Sequence, residues 1–442
     1  MVIFKMALNI LDRQHVWHPF TQEMNVPYPI HITHARGPYL FSQDGRRYLD
    51  LISSWWLNLH GHAHPKIAKA IYEQAQKLEH VIFAGFTHEP AVQLATKLSS
   101  LLPTELNRVF YSDNGSTAVE VALKMAYQFW YNQNESERKL FLSFEGGYHG
   151  DTFGAMSVGI ASNFHNPFKE LCFKVAHLPL PDTWIGDPEM DAKEEAALYT
   201  LEIYLKQYGS RTAAFIGEPL IQGAGGMRCY RPEFLQKFIE RLRVEGILII
   251  FDEVMTGFGR TGTMFAMEQI KAVPDIICLA KGLTGGFLPL AATIVQPKIY
   301  NAFLGDTFDK ALSHGHSYTA NPLGCAAALA SLELFEEEKT FKAIAKIEDI
   351  HKIGIAKLQS HSGLDKFRTC GTISAFELSG RKRGYDQNIS TPLKALFLES
   401  GLLIRPLGNV IYMLPPYCIA EQDLLGAYDV IDAVLKNLNL QL

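Results

Sequence analysis

The sequence predicts an α/β fold with a large domain around a mostly parallel sheet and a smaller α+β domain made by both ends of the chain. Three observations carry this. Short apolar runs (RVFYSD, KLFLSF, AAFIGEP, GILIIFDE and DIICLA) recur between residues 108 and 280, each bounded by polar or turn residues. Helical patterns are interleaved with them, which is the signature of strands joined by crossovers and buried on both faces. A chain of 442 residues is too long for one small domain and long enough for a large core with a satellite.

The elements follow in order. In GPYLFSQDGRRYLDL, the pair Asp44-Gly45 separates two runs of strand-forming residues, as a hairpin turn does. KIAKAIYEQAQKL and AVQLATKLSSLL have helical spacing, with Pro65 and Pro90 near their starts, where proline is tolerated. RVFYSD is a strand. STAVEVALKMAYQFWY follows as a helix, with Ala118, Val121, Ala122, Met125, Ala126 and Phe129 on one face. Beyond the strands of the middle, EEEKTFKAIAKIEDIHKIGIAKLQ reads as one long surface helix, and TISAFEL and VIYMLPP read as strands. Residues 58–336 are expected to form the large domain. Residues 1–57 and 337–442 are expected to share the smaller one.

Composition narrows the function. Hydrophobic residues make up 48% and charged residues 20%, the balance of a folded globular enzyme. Acidic residues outnumber basic ones, 46 to 41, and no basic block stands out, so nucleic acid is not an expected ligand. The six cysteines include no CxxC pair, which argues against a zinc site or a disulfide framework and fits a reducing cytosol. MVIFKMALNIL is too short to span a membrane and is interrupted by Lys5. A soluble, cytoplasmic protein is expected.

Ligands of open α/β sheets collect at the carboxyl ends of parallel strands. Glu218, Asp252 and Lys281 stand there, after AAFIG, GILIIF and DIICLA. An acid and a lysine at such positions fit a buried structural ion pair. They also fit chemistry: a desolvated lysine is a nucleophile that forms a Schiff base with a carbonyl cofactor, and a carboxylate keeps the ring nitrogen of pyridoxal phosphate protonated. Asp113-Asn114-Gly115-Ser116-Thr117 joins a strand to a helix. It reads either as a capped helix start or as a phosphate site at the positive end of the helix dipole.

Other motifs are weaker. Gly257-Phe258-Gly259-Arg260-Thr261-Gly262 matches GxGxxG, but DEVMT separates it from the strand and no suitable helix start follows, so a nicotinamide dinucleotide is not expected. His60, His62 and His64 invite a metal reading, but no partner carboxylate is identifiable, and loop histidines with no metal are expected. Trp55 and Trp56 suit either core packing or the wall of an apolar pocket.

Taken together, SDNGSTAVEVALKMA, YHGDTFGAMSVG, GEPLIQGAGGM, FDEVMTGFGRTG, LAKGLTGG and HGHSYTANPLGCAAA resemble, in order and over nearly the whole chain, the class III aminotransferases, pyridoxal-phosphate enzymes of fold type I. WHPFTQ, SSWW, YHGDTFGAMSVG and the terminal IRPLG…IYMLPPY narrow the resemblance to members that aminate 8-amino-7-oxononanoate in biotin biosynthesis, with S-adenosylmethionine as donor. The resemblance implies a pyridoxal 5′-phosphate cofactor and a homodimer with shared sites. Lys281 would bind the cofactor and shuttle a proton, Asp252 would hold the ring nitrogen, and Gly115 and Ser116 would hold the phosphate. Tyr148 would stack on one face of the ring and Val254 would cover the other. His316 and Ser317 would reach the neighbouring subunit's cofactor phosphate. Arg405 would pair with the substrate carboxylate, and Trp55 and Trp56 would line the aliphatic chain. Phe20, Gly315, Tyr412 and Arg260 complete the substrate candidates.

Two details bear on the choice within the family. Gln222-Gly223-Ala224 lacks the glutamate switch typical of members that use glutamate and 2-oxoglutarate. Phe20 stands where members acting on 8-amino-7-oxononanoate usually carry tyrosine, so one polar contact is missing. The alternatives are an ω-amino acid aminotransferase using lysine, pyruvate or glutamate, a dinucleotide-dependent oxidoreductase, and a non-catalytic binding protein on the same scaffold.

Overall fold

The computed structural model describes residues 2–24, 26–159, 163–381 and 387–439. At its centre is a seven-stranded sheet. From edge to edge its strands are Arg108–Ser112, Ala291–Val295, Ile276–Leu279, Leu248–Asp252, Thr212–Gly217, Leu140–Phe144 and Val175–Leu178. Ala291–Val295 is antiparallel to both neighbours, and the remaining pairs are parallel. The antiparallel strand and the Val175–Leu178 edge were not foreseen, because each is a short run without a distinctive boundary.

Alternation along one strand explains the layers. Leu248 and Ile250 pack on one face with Ala118, Val121 and Ala122 of the helix Gly115–Asn132, while Ile249 and Phe251 enter the larger core on the other face. Asn114 caps that helix: its side chain accepts from Thr117 N–H at 3.1 Å, and Thr117 Oγ1 accepts from Asn114 N–H at 3.1 Å. The expected apolar stripe is buried, except that Phe129 is only half-buried and Trp130 beside it is buried instead.

The ends of the chain meet. Ile32–Arg36, Tyr39–Ser42 and Arg47–Asp50 form an antiparallel run turning at Asp44-Gly45, where Gly45 has φ +83°, and Leu402–Leu403 adds in parallel to Arg47–Asp50. Ile373–Leu378 and Val410–Met413 are strands as expected and share a sheet with Leu364–Cys370. The helix Val2–His15 was not anticipated.

The expected long surface helix is corrected in two ways. Helices Pro322–Glu337 and Thr340–Leu358 meet at Lys339, whose φ of +52° breaks the helical path. The break lets Leu334 and Phe335 of the first helix and Ile344, Ile347, Ile350, Ile355 and Leu358 of the second all reach the interior, so the second helix is amphipathic rather than wholly exposed.

Candidate active site

A cavity of about 530 Å³ opens at the carboxyl ends of the central strands. Lys281 follows the strand Ile276–Leu279 and is held at φ +45°. Asp252 ends the adjacent strand and is buried. Its Oδ2 accepts from His149 Nδ1 at 2.7 Å and its Oδ1 from Val254 N–H at 3.0 Å. Among the described residues no carboxylate lies within 4.0 Å of Lys281 Nζ, so the ion-pair alternative gives way: the partner of Asp252 is a histidine. Glu218 lies just past Thr212–Gly217 and accepts from Tyr148 N–H at 3.0 Å and Gly223 N–H at 2.9 Å.

Burial and neighbouring charge set the protonation of these groups. Burial holds the Lys281 amine below its ordinary value; the Asp252 and Glu218 carboxylates oppose this, and Arg260 adds to it. Burial pushes Glu218 up to about 7. Burial alone would lower His149, but the bond to Asp252, with the charges of Asp252 and Glu218, holds it above its ordinary value. A lysine biased toward its neutral, nucleophilic form thus sits beside a carboxylate with a fixed orientation.

The other end of the cavity is a helix start. Gly115 and Ser116 form part of its wall, where a helix leaves N–H groups without acceptors of its own. A Cβ on Gly115 would come within 2.6 Å of Val254 Cγ1, so only glycine lets the helix start and Val254 approach this closely. Tyr148 lines the cavity and donates through its hydroxyl to Asp151 at 2.8 Å. An amine, an oriented buried carboxylate and a helix N-terminus face one space. That donor set complements an aldehyde, a ring nitrogen and a phosphate, and it fits pyridoxal 5′-phosphate.

The family described as aminotransferase class-III matches residues 20–435. The chain belongs to the class III aminotransferases. The adenosylmethionine-8-amino-7-oxononanoate aminotransferase of Synechococcus elongatus is 50% identical over 424 residues, spanning 96% of this chain and 99% of that one. The crystal structure of the enzyme of the same name from Methanocaldococcus jannaschii superposes with a TM-score of 0.91 at 37% identity, covering 98% of this chain and 99% of that one. An amine transaminase from an uncultivated Pseudomonas species, in its PLP-bound form, gives a TM-score of 0.89 at 30% identity, covering 96% and 98% of the two chains.

In this aminotransferase the remaining candidates fall into distinct places. Trp56 is buried, lines the cavity with its ring 4.6 Å from Lys281 Nζ, and donates from Nε1 to Tyr412 OH at 3.1 Å. Trp55 lies further out, with Arg405 Cζ 4.3 Å from its ring centre and Phe20 edge-on at 5.6 Å. Trp56 thus serves both readings, packed in the core and lining the cavity, whereas Trp55 lies outside the cavity's lining. Arg260 is 1% exposed and donates to the carbonyls of Pro415 and Asn58 at 2.9 and 3.0 Å, so its guanidinium braces the chain behind Trp56. Gly315, His316 and Ser317 do not line the cavity; His316 Nδ1 accepts from Tyr318 N–H at 3.2 Å.

His149 and Glu218 are the polar groups whose roles sequence reasoning missed. His149 was visible as the residue after Tyr148 in YHGD, but nothing local tied it to Asp252, 103 positions away. Among the described residues no cluster suits a metal ion. The expectation that the HGHAHP histidines lack carboxylate partners is corrected: His62 meets Asp50 at 2.8 Å and His64 meets Glu338 at 3.0 Å, acids remote in sequence or across the fold. The Gly257–Gly262 loop opens no long helix; Ala266–Gln269 is a single short turn. No helix among the described residues is long and apolar enough to cross a membrane.

Proposed function

We propose that this aminotransferase transfers an amino group from S-adenosylmethionine to 8-amino-7-oxononanoate, giving 7,8-diaminononanoate, a step of biotin biosynthesis. One observation carries the substrate choice. Adjacent aromatic residues join a reactive amine to a cation: Trp56 lies at Lys281 and Trp55 at Arg405. A substrate with a carboxylate at one end, a carbonyl near the other and an aliphatic chain between them suits that wall. Among the described residues no carboxylate pairs with Arg405, which leaves its guanidinium fork for the ligand.

Pyridoxal phosphate, when bound, supplies an electron sink through which the amino group and a proton are exchanged. Lys281, whose amine is biased toward its neutral form, would anchor it and would carry the proton exchanged at the substrate carbon. Asp252, oriented by His149, would hold the proton on the ring nitrogen. Gly115 and Ser116 would hold the phosphate, while Tyr148 and Val254 would enclose the ring. Donor and acceptor use the same space in turn, in two half-reactions.

A homodimer is part of this reading, with His316 and Ser317 serving the phosphate of the second copy's cofactor; their position outside this chain's own cavity supports it. Residues 1–57 and 337–442 make the smaller domain, a reading supported by the pairing of Leu402–Leu403 with Arg47–Asp50. The test is product formation. Purified holoenzyme given 8-amino-7-oxononanoate and S-adenosylmethionine should form diaminononanoate, measured by mass spectrometry. Turnover with lysine, glutamate or alanine as donor, but not with S-adenosylmethionine, would replace the donor.

A further inference from the structure

We propose that Asp50 and His62 form a clasp that holds the strained Ser53–Trp56 turn and so sets the position of the tryptophan wall for the acceptor. This rests on the reading in which Trp55 and Trp56 face the substrate chain. The turn needs a restraint. Ser53, Ser54 and Trp56 have φ of +50°, +62° and +70°, in the left-handed region that side chains disfavour, and Ser54 combines its φ with ψ −81°. Such a backbone persists only where its surroundings hold it.

The restraint is one wholly buried carboxylate. Asp50 Oδ1 accepts from Ile52 N–H at 3.1 Å, and Oδ2 accepts from Ser54 N–H at 2.6 Å. His62 Nε2 reaches the same Oδ2 at 2.8 Å. Asn58 Nδ2 lies 3.3 Å from His62 Nδ1; donating there, it leaves Nε2 to donate to Asp50. Ser53 Oγ adds a tie to Leu414 O at 2.8 Å.

Asp50 also stands opposite Leu403 in the parallel pairing, two residues before Arg405. Asp50 thus ties the turn that carries Trp55 and Trp56 and stands in the strand beside the segment that leads to Arg405. Neither Asp50 nor His62 lines the cavity, so both are positioning residues. Losing a charge-assisted acceptor of backbone N–H groups should loosen the turn while leaving Lys281 and Asp252 on their strands.

The test uses holoenzyme and starts with His62, whose side chain is only partly buried and whose removal spares the core. His62→Ala should raise KM for 8-amino-7-oxononanoate about tenfold with kcat within about twofold. Amide exchange in residues 52–58 should accelerate about tenfold, with the central sheet unchanged. His62→Gln, which can still donate to Asp50, should restore both, and Asp50→Asn should exceed His62→Ala in the same direction. Unchanged exchange in 52–58, or a fall in kcat at constant KM, overturns the clasp. If the wild type fails to aminate this acceptor, the substrate reading falls, and the exchange measurement alone decides the clasp.

Discussion

The floor of the cavity is drawn from neighbouring strands of one sheet, whereas the wall proposed for the acceptor is assembled from segments near opposite ends of the chain. Glu218, Asp252 and Lys281 each follow or end a central strand, and their geometry is set by ladder register. That proposed wall takes Phe20, Trp55 and Trp56 from the N-terminal segment and Arg405 and Tyr412 from the C-terminal one; of these, Trp56 lines the cavity itself and the others lie beyond it. It stands on a two-residue parallel pairing and a turn with three left-handed non-glycine residues. The difference teaches where each property resides. On the proposed roles, reaction chemistry rests on the central sheet, and substrate choice rests on a part that can be remade without disturbing it.

Substitutions should separate the two regions. The largest effect is expected at the floor. Lys281→Ala removes the proposed anchor and proton carrier together, and turnover should fall by at least about 10⁴-fold in a steady-state assay. Asp252→Asn keeps the shape but loses the charge proposed to face the ring nitrogen. Single-turnover reaction with the amine donor should slow on the order of 100-fold, and near-normal rates would break the assignment. At the wall, Arg405→Ala should raise KM for the oxo acid roughly 50-fold while slowing the donor half-reaction far less. Equal losses in both half-reactions would show that floor and wall are not separable.

Two smaller effects sharpen the comparison. Phe20 is half-exposed and meets Trp55 through its ring edge, so an added hydroxyl has solvent to enter. Phe20→Tyr should therefore change either KM by no more than about threefold. The second concerns stability. Glu253 is buried behind the floor and accepts from Ala266 and Met267 N–H at 2.7 and 2.8 Å, and burial raises it to about 7. A carboxyl raised in the folded state stabilises fully below its unfolded value, near 4.5, and loses that contribution as pH rises toward about 7. Thermal unfolding followed from pH 4.5 to 7 should accordingly decline less steeply in Glu253→Gln than in the wild type.

The same division explains what could be read from the sequence. Strands buried on both faces leave unbroken apolar runs, so the residues that end them, Asp252 and Lys281 among them, stand out. The capped start at Asn114 was readable because its partner Thr117 is three positions away. Contacts joining remote segments leave no local trace. The bonds His149–Asp252, Trp56–Tyr412 and His62–Asp50 depend on how distant turns meet, and Arg260 inside GFGRTG reads as a loop cation until the chain closes over it. The break at Lys339 was hidden for another reason: the charge pattern runs through it, and the core on either side bends the chain.

The most direct test of the account is the absorption spectrum of the purified holoprotein, recorded before and after S-adenosylmethionine is added without acceptor. The account predicts a visible band from cofactor bound at Lys281, its loss on addition of S-adenosylmethionine, and its return when 8-amino-7-oxononanoate follows. A protein that shows no such band even after pyridoxal phosphate is supplied, or a band that neither substrate alters, would contradict it.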